Sequence, residues 1–388
     1  MVDQSYALVD GKVFNGKTFT KSTVLVEGNK ITGLAPYSSL QQHITANTKV
    51  INLKDCIISA GFIDLQLNGC GGVLLNDEIS TATLQTMYNT VLQFGCTSFL
   101  PTLITTSEQD MEKAVAVATS FYQKNPYKIL GLHLEGPCIS TIKKGIHNAK
   151  YIQPLTAKMV SFLCQAGQNL PLKITLAPEV NDLALIRELI KAGVKVSIGH
   201  TNANYEEVDA VIQSGATLAT HLFNAMSGFE GRNPNAVGAI LNNPKVYTGI
   251  IIDGVHVDYH AIQIVHKIKQ DKLFIVTDGV TPMGTNLQEF MLANQKIYVK
   301  NNKCVNANGV LAGTNINMFE SLKNAVLQVK IPLDVALNMV SLYPAKAMGV
   351  ENKLGNIQVG SVANLAIFHE KSWLYKYTMA AGKLYSYN

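Results

Sequence analysis

Four short apolar runs in the middle of the chain each end on a residue that does not belong in a core. They read Lys128-Ile-Leu-Gly-Leu-His-Leu-Glu135, Lys195-Val-Ser-Ile-Gly-His200, Leu218-Ala-Thr-His221 and Lys272-Leu-Phe-Ile-Val-Thr-Asp278. Strands of a parallel sheet are buried on both faces and read as continuous hydrophobic segments, so a carboxylate or imidazole at the C-terminal end of one is out of place as core. At the mouth of a β/α barrel it is in place as chemistry.

Strand-like runs begin near Gly61, Cys96, Lys128, Leu172, Lys195, Leu218, Tyr247 and Lys272. Most gaps between them carry apolar residues at helical spacing, as in Thr81 to Phe94, Glu108 to Gln123, Leu183 to Ala192 and Tyr205 to Ser214. Eight alternating units favour a closed (β/α)8 TIM-type barrel over an open doubly wound sheet. The α/β chain of 388 residues exceeds the about 250 that such a barrel needs, leaving a satellite domain. Turn signals at Asp10-Gly11, Asn15-Gly16 and Gly28-Asn29 divide the N-terminal region into short strands. Similar sequence returns in Leu354 to Phe368 and Trp373 to Ser386. Neither end alone has enough strands to bury a face, so both are expected to pair into one small β-sandwich. The expected division is 1–56 and 351–388 for the sandwich and 57–350 for the barrel. Lys296 to Val310 reads as an inserted hairpin, followed by helices from about Asn317 and Pro332.

Hydrophobic residues make up 47% and charged residues 15%, which suits a compact, heavily buried chain. A dispersed net charge of +5 does not indicate nucleic acid binding. Six cysteines without a Cys-x-x-Cys pair suggest reduced thiols rather than a zinc ribbon or disulfide framework. No basic n-region with an apolar stretch opens the chain, and no run approaches the roughly 20 residues of a membrane span. A cytoplasmic location without membrane contact is expected.

Glu135, His200 and His221 together form a carboxylate and two imidazoles, a donor set typical of catalytic zinc sites that keep one position open. His133 shares the face of Glu135 one layer deeper and is read as a supporting residue. Asp278, on the last strand and across a closed barrel from the first, can act as general base and then general acid opposite that set, although alone it would read as a helix cap. In Asp64-Leu-Gln66-Leu-Asn68, alternation turns Asp64, Gln66 and Asn68 to one face. The two amides either orient substrate or plug the barrel mouth. His147, in the long loop after the third strand, either polarises a substrate carbonyl or is an exposed loop residue. Arg232 and His256 suit a phosphate group, and Arg232 equally suits a subunit contact.

The motifs Gly61-Phe-Ile-Asp-Leu-Gln-Leu-Asn-Gly-Cys-Gly-Gly72, Pro101-Thr-Leu-Ile-Thr-Thr, Leu132-His-Leu-Glu-Gly-Pro137, Lys144-Gly-Ile-His-Asn148, Thr220-His-Leu-Phe-Asn-Ala-Met226 and Asp253-Gly-Val-His-Val-Asp258 extend the pattern over nearly the whole chain. In them the sequence closely resembles the N-acetylglucosamine-6-phosphate deacetylases of the amidohydrolase superfamily. The resemblance implies one divalent ion per subunit, zinc first and Fe2+, Mn2+ or Co2+ as substitutes, held by Glu135, His200 and His221. It implies Asp278 as acid/base, His147 on the amide carbonyl, and Asn224, Ala225, Arg232 and His256 on the sugar phosphate. Leu311, Ala312 and Gly313 correspond to a segment that closes over the sugar. It further implies a homodimer, or a dimer of dimers, in which Arg232 serves the neighbouring subunit. Many amidohydrolases carry His-x-His where this chain has Gln66 and Asn68. Gly279-Val-Thr and Ala312 depart from the family pattern and bear on substrate preference. Rival expectations are the galactosamine epimer, another amidohydrolase reaction, and a non-catalytic sugar-phosphate-binding regulator.

Overall fold

The computed structural model describes residues 4–301 and 303–387. Eight parallel strands run side by side in chain order: Phe62–Leu67, Cys96–Ile104, Leu132–Glu135, Leu172–Leu176, Lys195–Ile198, Leu218–Ala219, Tyr247–Ile250 and Leu273–Ile275. They form because their residues are buried on both faces, with little of the polar alternation that a half-exposed strand shows. The ring closes just beyond the last strand, where Asp278 N donates to Gln66 O at 3.0 Å and Asn68 N donates to Gly279 O at 2.9 Å. The expectation that Asp278 lies across the barrel from the first strand is therefore corrected. Closure makes first and last strands neighbours, so Asp278 stands beside Gln66 and Asn68.

Helices cover the barrel because their apolar stripes need the outer face of the strands. In Tyr205–Gln213 the inward residues are Val208, Val211 and Ile212, at the three- and four-residue spacing of one helical face. Burying each aliphatic side chain contributes about 1.5–3 kcal/mol. Asn204 starts this helix with a capping box completed by Glu207, and Ser107 caps Glu108–Lys124 by accepting from Asp110 N. After the barrel come Met318–Leu327 and Leu333–Met339, and a third short helix, Leu342–Met348, that the sequence reading omits.

Outside the barrel, a four-stranded sheet comprises Lys30–Ala35, Thr23–Glu27, Ser5–Val9 and Thr48–Asn52. A six-stranded sheet joins Lys12–Phe14, Phe19–Thr20 and Cys56–Ala60 to Leu365–His369, Tyr375–Ala380 and Lys383–Ser386, so both ends of the chain share it. Leu8, Val24 and Ile31 from one sheet meet Val13, Ile58, Leu365 and Met379 from the other in a common core, which makes the pair a sandwich. Gly28-Asn29 forms a two-residue hairpin between Glu27 and Lys30, whereas Asp10-Gly11 carries the chain from one sheet to the other.

A third sheet, of Glu289–Leu292, Gln295–Lys300, Lys303–Asn306 and Leu311–Thr314, folds over the barrel mouth. Its Phe290, Leu292, Ile297 and Ala312 pack with Leu74, Ile104 and Val280. All six cysteines are free thiols. No helix among the described residues is long and apolar enough to cross a membrane.

Candidate active site

Glu135 ends its strand, while His200 and His221 each lie two residues past theirs and Asp278 three past the last. His200, His221 and Asp278 all have positive φ, at 48°, 28° and 52°. This left-handed turn costs a side chain of ordinary size about 1–3 kcal/mol each and persists only where the surroundings hold it. It breaks each strand and swings the side chain over the barrel mouth.

The result is a triangle of donor atoms. Nε2 of His221 is 2.9 Å from Glu135 Oε1, Nε2 of His200 is 3.2 Å from the same oxygen, and the two nitrogens are 3.2 Å apart. Atoms held about 2.0–2.2 Å from a tetrahedral ion stand about 3.3–3.6 Å from one another, so the triangle is one face of such a site drawn slightly tight. Nδ1 of His200 lies 2.9 Å from the Lys143 carbonyl, which can only accept; the proton therefore sits on Nδ1 and the lone pair of Nε2 faces the triangle. A lone pair facing a carboxylate oxygen in a buried site calls for a cation, and these three residues can hold one.

Asp278 is tied to the triangle through an amide. Gln66 Nε2 lies 3.0 Å from both Glu135 Oε1 and Asp278 Oδ1, and Asn68 Nδ2 donates to the same Asp278 oxygen at 2.7 Å. Burial first, and the Glu135 charge second, push the Asp278 carboxyl above its ordinary value. Gln66 thus spends its donors on the two carboxylates. Asn68 donates to Asp278 alone and also lines the cavity.

That cavity, of about 310 Å³, is large enough for one sugar-sized molecule. Glu135, His147, His200, His221 and Asp278 meet Asn224, Ala225 and His256 around it, and Leu311 and Gly313 close it from the mouth sheet. His147 is 2% exposed, lies tilted against His200 at 4.4 Å between ring centres, and is held by burial, with His200 adding to the effect, down at about 3. The exposed-loop alternative for His147 is thereby removed. Three expected residues do not line the cavity. Gln66 sits beneath it, Ala312 is packed into the mouth-sheet core, and Arg232 is exposed on a loop where it makes no ion pair or hydrogen bond among the described residues. Beneath the triangle, His133 lies between the hydroxyls of Thr102 at 3.1 Å and Thr175 at 2.7 Å, and burial, then Lys173, keeps its pKa well below the usual value.

Three residues that the sequence reading passed over support this arrangement. Thr105 bonds to the His147 ring. Glu179 accepts from Thr201 Oγ1 at 2.5 Å and from Asn202 N at 2.6 Å, bracing the backbone just after His200. Asp253 accepts from His256 Nδ1 at 2.7 Å and from the backbone of Val255 and His256 at 2.8 Å. Its carboxyl is raised by burial but pulled below the ordinary value by these bonds. Each lies within three residues of a barrel strand's C-terminal end, so position was the one signal in sequence that pointed to them.

Residues 57–384 match the amidohydrolase family. An N-acetylglucosamine-6-phosphate deacetylase of Haemophilus influenzae is 44% identical over 367 residues, covering 94% of this chain and 95% of that protein. An N-acetylgalactosamine-6-phosphate deacetylase of a Shewanella species is 34% identical over 330 residues, covering 84% and 83%. Among solved structures, an N-acetylglucosamine-6-phosphate deacetylase from Pasteurella multocida superposes with a TM-score of 0.95 at 42% identity, covering 99% of this chain and 100% of that one.

Proposed function

This chain belongs to the amidohydrolase family, and from that premise we propose that it hydrolyses the acetamide of N-acetyl-D-glucosamine 6-phosphate to D-glucosamine 6-phosphate and acetate. The observation that carries this reading is the donor triangle of Glu135, His200 and His221 with Asp278 beside it in one sugar-sized cavity. The greater likeness to the Haemophilus influenzae glucosamine enzyme, 44% against 34% for the galactosamine enzyme, favours the glucosamine epimer.

Glu135, His200 and His221 would hold one divalent ion, zinc being the best match to two imidazoles and a carboxylate. Such an ion lowers the pKa of water and polarises a carbonyl. Asp278 takes the proton from the attacking water, and its raised basicity suits it to do so; it then returns that proton to the leaving amine. Gln66 and Asn68 hold the carboxylate in place with its other oxygen free of them. His147 donates to the carbonyl oxygen as charge builds on it. Asn224, Ala225 and His256 face the phosphorylated end of the sugar.

Arg232 would complete the phosphate site in a second copy of the chain. Phe229, three residues before Arg232 in the chain, Ile264 and Ile268 are 63%, 59% and 49% exposed and line an apolar groove with Leu241 and Ala261. An exposed apolar groove of this kind suits the contact face of a homodimer.

Acetate release by zinc-loaded protein tests the reaction, with N-acetylglucosamine 6-phosphate, its galactosamine epimer and the unphosphorylated sugar side by side. Release from the first substrate in strong preference is expected. Silence on all three with metal bound would overturn the reading.

A further inference from the structure

The ring of His147 is gripped from one side by a single residue. Thr105 offers it two groups, the backbone N–H at 3.4 Å and the hydroxyl at 2.7 Å, and both approach Nδ1. A backbone N–H can only donate, so Nδ1 must present a lone pair to it. A proton on Nδ1 would point at that N–H. The imidazole must then carry its proton on the opposite nitrogen, Nε2, which has no partner among the described residues, while the ring lines the cavity.

The chain makes room for this contact. Thr105 lies one residue past the second barrel strand and is 5% exposed, so its hydroxyl cannot turn to bulk water. Gly136 directly follows Glu135 at φ +89°, and a Cβ there would come within 2.2 Å of Thr105 Oγ1. A side chain at 136 would displace the hydroxyl from the ring. The hydroxyl has one proton to give, and with Nδ1 at 2.7 Å and the Glu135 carbonyl farther off at 3.3 Å, the ring nitrogen is the nearer acceptor, the one that the backbone N–H also requires to be unprotonated.

We propose that Thr105 is a positioning residue that locks His147 in the tautomer bearing its proton on Nε2, so that the ring meets the substrate carbonyl as a preset hydrogen-bond donor. This rests on the deacetylase reading for what the donor faces, but not for the tautomer itself. A donor fixed before substrate arrives needs no reorganisation as the oxyanion forms. The opposite tautomer would put a lone pair there and repel the same oxygen.

The test uses full-length, zinc-loaded protein with 15N-labelled histidine, and long-range proton–nitrogen spectra in which His147→Gln identifies the ring's signals. Nδ1 is expected with the shift of an unprotonated nitrogen and Nε2 with that of a protonated one; the reverse overturns the proposal. In Thr105→Val, kcat on N-acetylglucosamine 6-phosphate is expected to fall about 10- to 100-fold at nearly constant KM, the usual range for losing a residue that orients an active-site histidine, and Thr105→Ser should restore it. A wild-type kcat in Thr105→Val would overturn the role of the hydroxyl. Should the valine variant not fold, the wild-type spectrum decides alone. Wild-type protein that releases no acetate would sink the deacetylase reading, while its spectrum would still report the tautomer.

Discussion

The two ends of the cavity are built differently. At one end Glu135, His147, His200 and His221 are buried and Asp278 is half-buried; Gln66 and Thr105, at neighbouring strand ends, tether Asp278 and His147, and the Lys143 carbonyl holds His200. At the other, Asn224 and Ala225 sit on a loop, His256 leans on Asp253, and Arg232 faces out from the molecule. Proton transfer tolerates little misplacement, so its groups stand on strands whose register is fixed by the barrel. A phosphate is a large, diffuse charge that loops can hold, and a neighbouring subunit can share it. Rigidity is spent where bonds change.

The strongest way to break this contrast is at the buried end. Asp278→Asn should retain metal, measured by elemental analysis, and lose about 10²- to 10⁴-fold in kcat, the range general acid–base groups supply. Near-normal turnover with metal bound would remove Asp278 from the chemistry. At the loop end, Arg232→Ala should raise KM for the phosphorylated substrate about 10- to 100-fold, as expected for losing a charge-assisted hydrogen bond, and leave the unphosphorylated sugar nearly unaffected. Equal effects on both sugars would take Arg232 out of the phosphate site. Phe229→Asp should dissociate the proposed dimer in analytical ultracentrifugation and copy the KM effect of Arg232→Ala without touching kcat; a monomeric variant with unchanged KM would show each cavity to be complete within one chain.

The smallest effect concerns pH. Asp278 must be ionised to take a proton, and burial with the Glu135 charge raises its pKa, so kcat/KM should fall with decreasing pH at a value above the about 3.9 of an ordinary aspartate. The Asn68 hydrogen bond opposes that rise. Asn68→Ala should therefore move the acid limb to higher pH, and a limb that stays put would mean that the amide does not stabilise the charged carboxylate.

The buried end was also the more legible in sequence. A charged residue at the end of an apolar run is conspicuous, and the helical spacing between runs fixes the barrel around it, so Glu135, His200, His221 and Asp278 could be gathered before any contact was known. What could not be read was how the ring closes. Counting strands puts the first and the eighth far apart in the chain, and only the bonds from Asp278 and Asn68 across the seam make them neighbours. Gln66 suffered from the same gap: alternation gives its face, but not that its amide is used up on two carboxylates. Thr105, Glu179 and Asp253 follow the strand-end pattern, yet a hydroxyl or a loop carboxylate is too common on surfaces to stand out without its partner. Exposure decided the case of Arg232, and one chain's sequence holds no record of what a surface faces.

Asp278 is also the clasp of the ring. Its N–H reaches back to Gln66 on the first strand, and its carbonyl accepts from Thr314 of the mouth sheet at 3.0 Å. As the polypeptide leaves the ribosome, the three donors are all in hand by residue 221, while the clasp and the sheet that secures it come later. The group proposed to move the proton is thus set in place by the same contacts that close the ring, so loosening the seam should disturb both.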